Sequence, residues 1–284
     1  MHSSLTIEQI IDLALKEDIG SGDHTTLSTV PVDRRGKMAL FVKEEGIIAG
    51  IYLARQIFHY YNPDISMQII LRDGNPINKG DIAFFVEGPT QSLLTCERLV
   101  LNFMQRLSGI ATQTNKMVRI LEGTNTKILD TRKTTPLLRE LEKMAVRIGG
   151  GYNHRFGLFD MILIKDNHID FAGGITKALN QTKQYLIDNK LDLQIEIEVR
   201  NMKELEEVLN VGIASRVLID NFKPDQLKEA VSFINGRIET EASGGITLNN
   251  LREYAETGVD FISSGALTHH IKSLDLSLKA IDKK

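Results

Sequence analysis

The sequence of 284 residues is poor in cysteine, proline and long apolar runs. Its single cysteine, Cys96, excludes an internal disulfide and favours a reducing, cytoplasmic location. With only 6 prolines, 42% hydrophobic and 25% charged residues, the composition excludes fibrous, disordered and low-complexity proteins. The longest apolar run, Ile47–Ala54, is far too short to span a membrane. Glu8 and Asp12 interrupt the N-terminal apolar residues, so we expect no secretion signal.

The sequence also lacks the usual signatures of several binding functions. A net charge of −3 gives no broad basic face, which argues against nucleic-acid binding. There is no G-x-G-x-x-G fingerprint, no Walker A loop and no His or Cys cluster with zinc-ligand spacing. Residues 131–168 nevertheless contain 7 Lys and Arg against 4 Asp and Glu. We therefore expect recognition of a small anion at one place.

The first hundred or so residues show mixed helical and strand patterns. Thr6 with Gln9 three residues later predicts a helix that begins with a capping box. Strands are predicted at "KMALFVKEEG", "SMQIILRDG" and "IAFFVEG", each ending near glycine, and helical spacing returns between Thr95 and Glu122. These patterns indicate a small sheet covered by helices.

From Lys127 onward the pattern becomes a regular alternation of strands and helices. Strands are predicted at "KILD", "DMILIK", "LQIEIEV", "RVLID", "RIETE" and "DFISS", each followed by a helix-like segment. Six βα units in succession favour a parallel α/β barrel over an open doubly wound sheet. This patterning predicts architecture but does not predict chemistry.

Charged, polar and glycine residues follow nearly every predicted strand of this second part. In a parallel barrel all of these positions face the C-terminal mouth, where active sites are built. The residues are Arg132, Lys133, Lys165, His168, Glu198, Asp220, Asn221, Glu241, Ser243, Gly244, Gly245, Ser264 and Gly265.

The residue types at these positions suit two kinds of ligand. Arg and Lys bind carboxylates and phosphates, and two Ser-Gly loops before helix starts predict a phosphate seat. Glu198 and Asp220 suit magnesium or sugar hydroxyls. Simpler alternatives stay open, because cations can lie in a solvated loop, Asp220 can cap a helix and Ser-Gly pairs can be ordinary turns. Together the residues predict a phosphorylated sugar that reacts with a small, multiply charged acid.

The motifs, taken in order, resemble the quinolinate phosphoribosyltransferase family over nearly the whole chain. Leu137 and His270 depart from it, since Gly and Ser are frequent at these positions in the family, and both departures concern loop shape. The matching motifs are "EDIGSGDHTT", "LNFMQRLSGIAT", "LDTRKTTPLLR", "GGGYNHRFGLFDMILIKDNHI", "IEIEV", "LIDNF", "EASGGI" and "SSGALTH".

The resemblance implies an α/β fold with three parts. These are an N-terminal α/β sandwich domain over residues 1–111, an incomplete, open α/β barrel of the type II phosphoribosyltransferase kind over 112–270, and a C-terminal helix over 271–284 that returns to the first domain. The implied reaction transfers phosphoribosyl from 5-phosphoribosyl-1-pyrophosphate (PRPP) to quinolinate with magnesium. Its products are nicotinate mononucleotide, pyrophosphate and carbon dioxide, in NAD biosynthesis. Family members are dimers or dimer-based.

The resemblance also implies roles for individual residues. The quinolinate ligands would be Arg132, His154, Arg155 and Lys165, with Arg98 contributed by the partner subunit. The catalytic residues would be Lys133, Lys165, Glu198 and Asp220, and the last two would face magnesium, directly or indirectly. The PRPP-binding residues would be Lys133, His168, Glu198, Asp220, Ser243, Gly244, Gly245, Ser264 and Gly265.

Two other functions remain compatible with these residues. A related PRPP-dependent transferase with another acceptor, such as the molybdenum-transport-associated homologues, would share the phosphate site. A non-catalytic barrel that binds a phosphorylated sugar would keep the phosphate site but would not need the acids.

Overall fold

The computed structural model describes residues 5–281, which form two compact units. The first unit comprises residues 5–115, 134–150 and 270–281, and the second comprises residues 116–133 and 151–269. The sequence predicted boundaries near residues 111 and 270, and the structure differs from this prediction in one segment. Residues 134–150 group with the first unit, although the sequence places them in the barrel part.

The helices of the first unit begin with the predicted capping box. The Gln9 backbone N–H donates to Thr6 Oγ1 at 3.2 Å, and the Thr6 backbone N–H donates to Gln9 Oε1 at 2.8 Å. These two bonds satisfy N–H groups that a helix start otherwise leaves unpaired. The helices that begin in the first unit are α1 (Ile7–Ile19), α2 (His24–Thr29), α3 (Ile51–Tyr61), α4 (Thr90–Ile120) and α5 (Arg139–Ile148).

The first unit contains a four-stranded antiparallel sheet in the order β12-β1-β5-β3. Its strands are β1 (Arg35–Val42), β3 (Ser66–Ile69), β5 (Ile82–Pro89) and β12 (Leu276–Ala280). Two short strands, β2 (Gly46–Ile47) and β4 (Pro76–Ile77), pair separately. Apolar residues of β1 and β5 are buried, so this sheet supplies part of the core.

The predicted C-terminal helix is wrong for the residues that the structure describes. Leu276–Ala280 form strand β12, which runs antiparallel to β1 with Leu276 opposite Val42. Leu276 and Leu278 are buried and share one face, because side chains in a strand alternate with a period of two. Residues 282–284 of the predicted helix lie outside the described residues.

The second unit is built on six parallel strands in the order β6-β11-β10-β9-β8-β7. All six predicted strands are present, and β6 and β7 form the two edges of the sheet. The sheet is therefore an open barrel, as the family resemblance implies. The strands are β6 (Lys127–Leu129), β7 (Ile162–Ile164), β8 (Ile195–Val199), β9 (Arg216–Asp220), β10 (Glu239–Ser243) and β11 (Phe261–Ser263).

The helices of the second unit follow the strands in the predicted alternation. None of the helices within residues 5–281 is both long and apolar enough to cross a membrane. The helices are α6 (Asp166–Ala172), α7 (Ile175–Asn189), α8 (Met202–Val211), α9 (Pro224–Ile234), α10 (Leu251–Ala255) and a short 3₁₀ helix (Gly265–Leu267).

Strand β8 shows how this sheet places charged groups in its interior. All five residues of "IEIEV" are buried, with Glu196 fully inaccessible and Glu198 7% exposed. The two acids share one face of the strand, while Ile195, Ile197 and Val199 share the other. One face of a central strand is therefore acidic, and buried acids need partners.

Candidate active site

The loop after β6 presents two cations from the second unit. Arg132 and Lys133 are exposed, and neither has an ion-pair partner among the residues that the structure describes. The loop itself is held, because the Thr268 hydroxyl donates to the Lys133 carbonyl at 2.8 Å. A Cβ on Gly265 would lie 2.8 Å from Lys133 Cδ, so the Lys133 stem runs beside the last Ser-Gly loop. The two cations are available to an anion.

The next loop, residues 153–157, is fixed by side chains at four consecutive backbone N–H groups. Asp130, fully buried at the end of β6, accepts the His154 backbone N–H and the Asn153 side-chain amide. Backbone geometry in this loop is thus set before any ligand arrives. The four backbone bonds are His154 to Asp130 (2.9 Å), Arg155 to His154 Nδ1 (2.6 Å), Phe156 to Asp160 (2.6 Å) and Gly157 to Asp160 (2.8 Å).

Arg155 lies on this loop, near enough to Arg132 for the two charges to interact. Burial lowers the pKa of Arg155, and the nearby Arg132 guanidinium lowers it further. The Arg155 guanidinium donates to the Met161 carbonyl at 3.2 Å, which holds one end of the fork. Two guanidinium groups brought together favour a ligand with more than one carboxylate.

His154 is directed toward buried acids. Its Nε2 lies 3.0 Å from Glu196 Oε2 and 3.3 Å from Glu241 Oε2, and its side chain is 6% exposed. Burial opposes a charge on the ring, but the two carboxylates outweigh it and raise the pKa of His154 to about 9. The hydrogen bond from Arg155 N–H to Nδ1 opposes protonation of that nitrogen. A direct contact between His154 and a substrate carboxylate stays a prediction.

Glu241 is a residue whose position the sequence placed incorrectly. The predicted strand "RIETE" ends at Glu241, whereas β10 continues to Ser243, so Glu241 lies in mid-strand and is fully buried. Its Oε2 is 3.4 Å from Arg216 Nη1. The alternation in "ETEAS" was the available signal, because it puts Glu239, Glu241 and Ser243 on one face.

The buried acids differ in their affinity for protons. Burial raises the pKa of Glu196. Burial also acts to raise the pKa of Glu241, but His154, Ser263 and Arg216 outweigh it, so that pKa is lowered. Among the described residues, His154, Glu196 and Glu241 form the one group of at least three ligand-type side chains whose atoms lie within 4.8 Å of one another. Its chemistry could suit a metal ion, although Arg216 already supplies a cation there.

Glu198 and Asp220 lie at the C-terminal ends of the neighbouring strands β8 and β9. Lys165 Nζ is 3.7 Å from Glu198 Oε2. Burial raises the pKa of Glu198, Lys165 lowers it, and the charge of Asp220 raises it. Asp220 accepts the Ser243 hydroxyl at 2.6 Å and the Asn221 amide at 2.5 Å. Lys165, Glu198 and Asp220 therefore form one group, and its carboxylates suit a hard cation or sugar hydroxyls.

The two Ser-Gly loops differ from each other. Gly244 and Gly245 have φ of 89° and 64°, and a Cβ on Gly244 would overlap the Asn221 side chain. This loop does not begin a helix as predicted, because α10 starts only at Leu251. Ser264 does precede a helix, since its Oγ accepts the Ala266 backbone N–H at 3.3 Å at the start of the 3₁₀ turn.

Two residues that were predicted to bind substrates, His168 and Arg98, are not among the clustered side chains described above. His168 is exposed in the first turn of α6, where its Nδ1 accepts the Lys165 backbone N–H at 3.0 Å. Arg98 belongs to the first unit, is exposed on α4 and has no ion-pair partner within the described part of the chain. The predicted contacts of both residues with substrates stay predictions.

Comparison with known proteins identifies the family. Residues 23–108 match the model of the quinolinate phosphoribosyl transferase N-terminal domain, and residues 110–279 match that of the C-terminal domain. The chain belongs to the quinolinate phosphoribosyltransferase family. The family resemblance in the sequence motifs is thus confirmed over both parts of the chain.

Individual members of the quinolinate phosphoribosyltransferase family are similar over almost the full length. The tobacco protein named quinolinate phosphoribosyltransferase [decarboxylating] 1b is 46% identical over 98% of this chain and 83% of its own length. The probable nicotinate-nucleotide pyrophosphorylase [carboxylating] of Bacillus subtilis is 42% identical over 96% and 93%. The crystal structure of NadC from Streptococcus pyogenes superposes with a TM-score of 0.92 at 38% identity, covering 99% of this chain and 100% of NadC.

Proposed function

We propose that this protein transfers phosphoribosyl from PRPP to quinolinate with decarboxylation, in NAD biosynthesis. Its products are nicotinate mononucleotide, pyrophosphate and carbon dioxide. The observation that supports this most strongly is the placement of Arg132 and Arg155 on two loops of the same unit, because two guanidinium groups suit a dicarboxylate. Arg132 is exposed and has no ion-pair partner among the described residues. The names of the relatives point to the same substrate.

In this proposal, cationic side chains of the second unit bind quinolinate. Arg132 and Arg155 hold the two carboxylates as forked donors, and Lys165 adds a point charge beside Glu198. The family resemblance also implies His154 as a quinolinate ligand. Both of its ring nitrogens face groups of the protein, Nε2 the two buried acids and Nδ1 the Arg155 N–H, so that contact stays a prediction. Holding the ring nitrogen against the sugar carbon converts a bimolecular step into an effectively unimolecular one.

In this proposal, Glu198, Asp220 and the two Ser-Gly loops bind PRPP. Ser243, Gly244, Gly245, Ser264 and Gly265 form the proposed 5-phosphate site, and Lys133 and His168 add positive charge. Gly244, Gly245 and Gly265 contribute backbone N–H groups, whereas Ser264 contributes its hydroxyl, because its N–H donates to the Leu129 carbonyl at 3.0 Å. Departure of pyrophosphate leaves positive charge on the ribose carbon, which Glu198 and Asp220 stabilise.

Magnesium fits the acid pair, and we propose that Glu198 and Asp220 hold it, directly or through water. Both offer carboxylate oxygens on neighbouring strands, and Glu198 is close enough to Asp220 for that charge to raise its pKa. When bound, magnesium would neutralise pyrophosphate charge.

The decarboxylation needs little from the protein beyond position. Once the pyridine nitrogen carries the ribose it is cationic, and its charge stabilises the electron pair left on the adjacent carbon when the bond to carbon dioxide breaks. A proton from water then binds that electron pair and gives nicotinate mononucleotide. Arg132 and Arg155 keep the ring in place, so the charge develops next to a nitrogen that can stabilise it.

One assay separates this function from the two alternatives. Purified protein with quinolinate, PRPP and magnesium should give nicotinate mononucleotide and carbon dioxide in equal amounts, measured by chromatography and by release of labelled carbon dioxide. A transferase with another acceptor would consume no quinolinate but would release pyrophosphate with its own acceptor. A non-catalytic barrel would bind PRPP and turn over nothing.

We further propose a homodimer, or an assembly of dimers, in which Arg98 completes the site of the partner subunit. Its exposure without an ion-pair partner among the described residues leaves it available to an anion. Mixing inactive Arg98→Ala with inactive Lys133→Ala subunits should restore part of the activity, because some dimers then contain one intact site. No recovery after demonstrated subunit exchange would contradict this proposal.

We propose a cytoplasmic location on the basis of the single, buried cysteine. Some relatives carry mitochondrial or chloroplastic in their names, so the location is a separate question from the activity. Cell fractionation with an antibody against the protein tests it, and recovery in an organelle would contradict it.

A further inference from the structure

Two fully buried acids of the second unit have no part in the proposed chemistry. Glu196 on β8 and Glu241 on β10 are both inaccessible to solvent. Burying a carboxylate is costly unless it is paired, so two such groups on strands separated only by β9 need a reason. Both lie at ion-pair distance from one atom, Nε2 of His154.

His154 in turn belongs to the loop that carries Arg155. Its backbone N–H is bound by Asp130, its ring is bound by the two acids, and its Nδ1 accepts the Arg155 N–H. The loop is therefore fixed from two sides, by a buried acid at the end of β6 and by two buried acids in the sheet. Arg155 is the next residue along the chain.

We propose that Glu196 and Glu241 are positioning residues for Arg155, which act by holding the His154 ring and so fix the direction of its neighbour. This inference rests on the proposed binding of quinolinate by Arg155. It assigns the acids no contact with substrate. Quinolinate affinity should therefore depend on them, while PRPP affinity should not.

A metal ion bound by His154, Glu196 and Glu241 is the rival explanation for the cluster. Arg216 argues against it, because its Nη1 lies 3.4 Å from the same Glu241 oxygen that faces the imidazole and already supplies positive charge. Elemental analysis of the purified, undialysed protein should find no metal in proportion to protein. One tightly held equivalent that Glu241→Gln removes would overturn the positioning proposal.

The main experiment measures two affinities in one variant. Calorimetry with Glu196→Gln should show quinolinate binding weakened at least about tenfold, which is about 1.4 kcal/mol, and PRPP binding within about twofold of wild type. The matched control is Glu239→Gln, because Glu239 lies on β10 two residues before Glu241 and pairs with Arg216, whereas the acids paired with His154 are Glu196 and Glu241. It should change neither affinity by more than about twofold.

A double-mutant cycle tests whether the acid acts through Arg155. In an Arg155→Ala background, Glu196→Gln should weaken quinolinate binding by less than about twofold, because the group that it positions is gone. Full additivity of the two effects would overturn the proposal, as would equal losses of quinolinate and PRPP affinity.

Two further measurements keep the test decisive. Glu241→Gln should show the same selective loss, which covers the case in which Glu196→Gln does not fold. Failure of both variants to fold would show a structural role for the acids and would overturn the proposal. Wild-type turnover is measured beside the binding, so absence of turnover would count against the proposed function without affecting the comparison of affinities.

Discussion

In the part of the chain that the structure describes, the charged side chains in the interior of the parallel sheet are paired with one another, whereas two cations at its C-terminal edge are not. In the interior, Glu196 and Glu241 face His154 and Arg216, so acids and bases are paired with one another. At the edge, Arg132 and Lys133 are exposed without ion-pair partners among the described residues.

A step of two residues along one strand separates these arrangements. On β8 it leads from Glu196 in the interior to Glu198 at the edge, and both acids lie on the same face of the strand. The paired charges in the interior fix the positions of side chains, whereas the unpaired cations at the edge are available to bind an anionic ligand. Among the cations at the edge, Arg132 and Lys133 therefore differ from Lys165, which already lies 3.7 Å from Glu198.

The largest expected effect comes from removing an unpaired charge at the edge. Arg132→Ala should lower kcat/KM for quinolinate by roughly 10² to 10⁴, because two charge-assisted hydrogen bonds contribute about 3 to 6 kcal/mol and each 1.36 kcal/mol is about tenfold. Steady-state kinetics at saturating PRPP measures this change.

The matched control for Arg132 is Arg200, which also follows directly on a strand of the same sheet. Arg200 is already paired with Asp170 at 3.2 Å and Glu204 at 2.8 Å. Arg200→Ala should leave kcat/KM within about threefold of wild type, since exposed pairs contribute little. Equal losses in both variants would mean that unpaired charge does not mark the binding residues.

The second prediction concerns the paired interior and the pH dependence of stability. The pKa of His154 is raised to about 9, above its ordinary unfolded value near 6.5. The stabilisation is therefore fully present below about pH 6.5 and is lost as the pH rises through about 9. The difference between these two pKa values limits the loss in the free energy of unfolding across this range to about 3 kcal/mol, which urea unfolding measures. The loss should be smaller than this limit, because the Arg155 N–H bond to Nδ1 opposes protonation of that nitrogen.

His154→Gln provides the comparison for this pH dependence. Glutamine can place an amide near the two acids but does not titrate, so the unfolding free energy should lose less between about pH 6.5 and 9 than in wild type. The same slope in both proteins would show that His154 carries no charge in the folded state.

The backbone at the edge of the sheet is constrained at Gly244. Gly244→Ala combines a φ of 89° with an overlap of the new Cβ and Asn221, whose amide donates to Asp220. We expect stability to fall by about 1 to 3 kcal/mol and the KM for PRPP to rise. Gly236→Ala has a φ of 71° but no atom near its new Cβ, so it should lose stability with PRPP kinetics unchanged.

The smallest effect is expected at Leu137, one of the two departures from the family pattern. Its φ is 68°, a left-handed value, and its side chain is 72% exposed. Leu137→Gly should raise the free energy of unfolding by up to about 1 kcal/mol, because relief of strain exceeds the added entropy of the unfolded chain. Asn235→Gly, at a φ of 49°, should gain less because asparagine tolerates this region.

The features that the sequence predicted are those with a local signal. The capping box of Thr6 and Gln9, the six strands of the barrel and the acidic face of "IEIEV" all follow from short-range spacing. The family motifs then indicated the activity and the ligands.

The features that the sequence missed depend on contacts between distant residues. Strand β12 is a strand because it pairs with β1 more than 200 residues earlier, although the alternation of Leu274, Leu276 and Leu278 was a usable signal. The inward direction of His154 depends on Glu196 and Glu241, which lie on two other strands. No spacing near His154 encodes that arrangement.

The role of the edge cations is tested most directly with two ligands that differ by one carboxylate. Calorimetric titration should show that wild type binds quinolinate at least about 100-fold more tightly than nicotinate, because the second carboxylate meets an unpaired guanidinium. In Arg132→Ala this ratio should fall below about tenfold, while PRPP affinity stays within about twofold. Equal affinity of wild type for quinolinate and nicotinate, or a ratio that Arg132→Ala leaves unchanged, would contradict the assignment of the unpaired edge cations to the dicarboxylate.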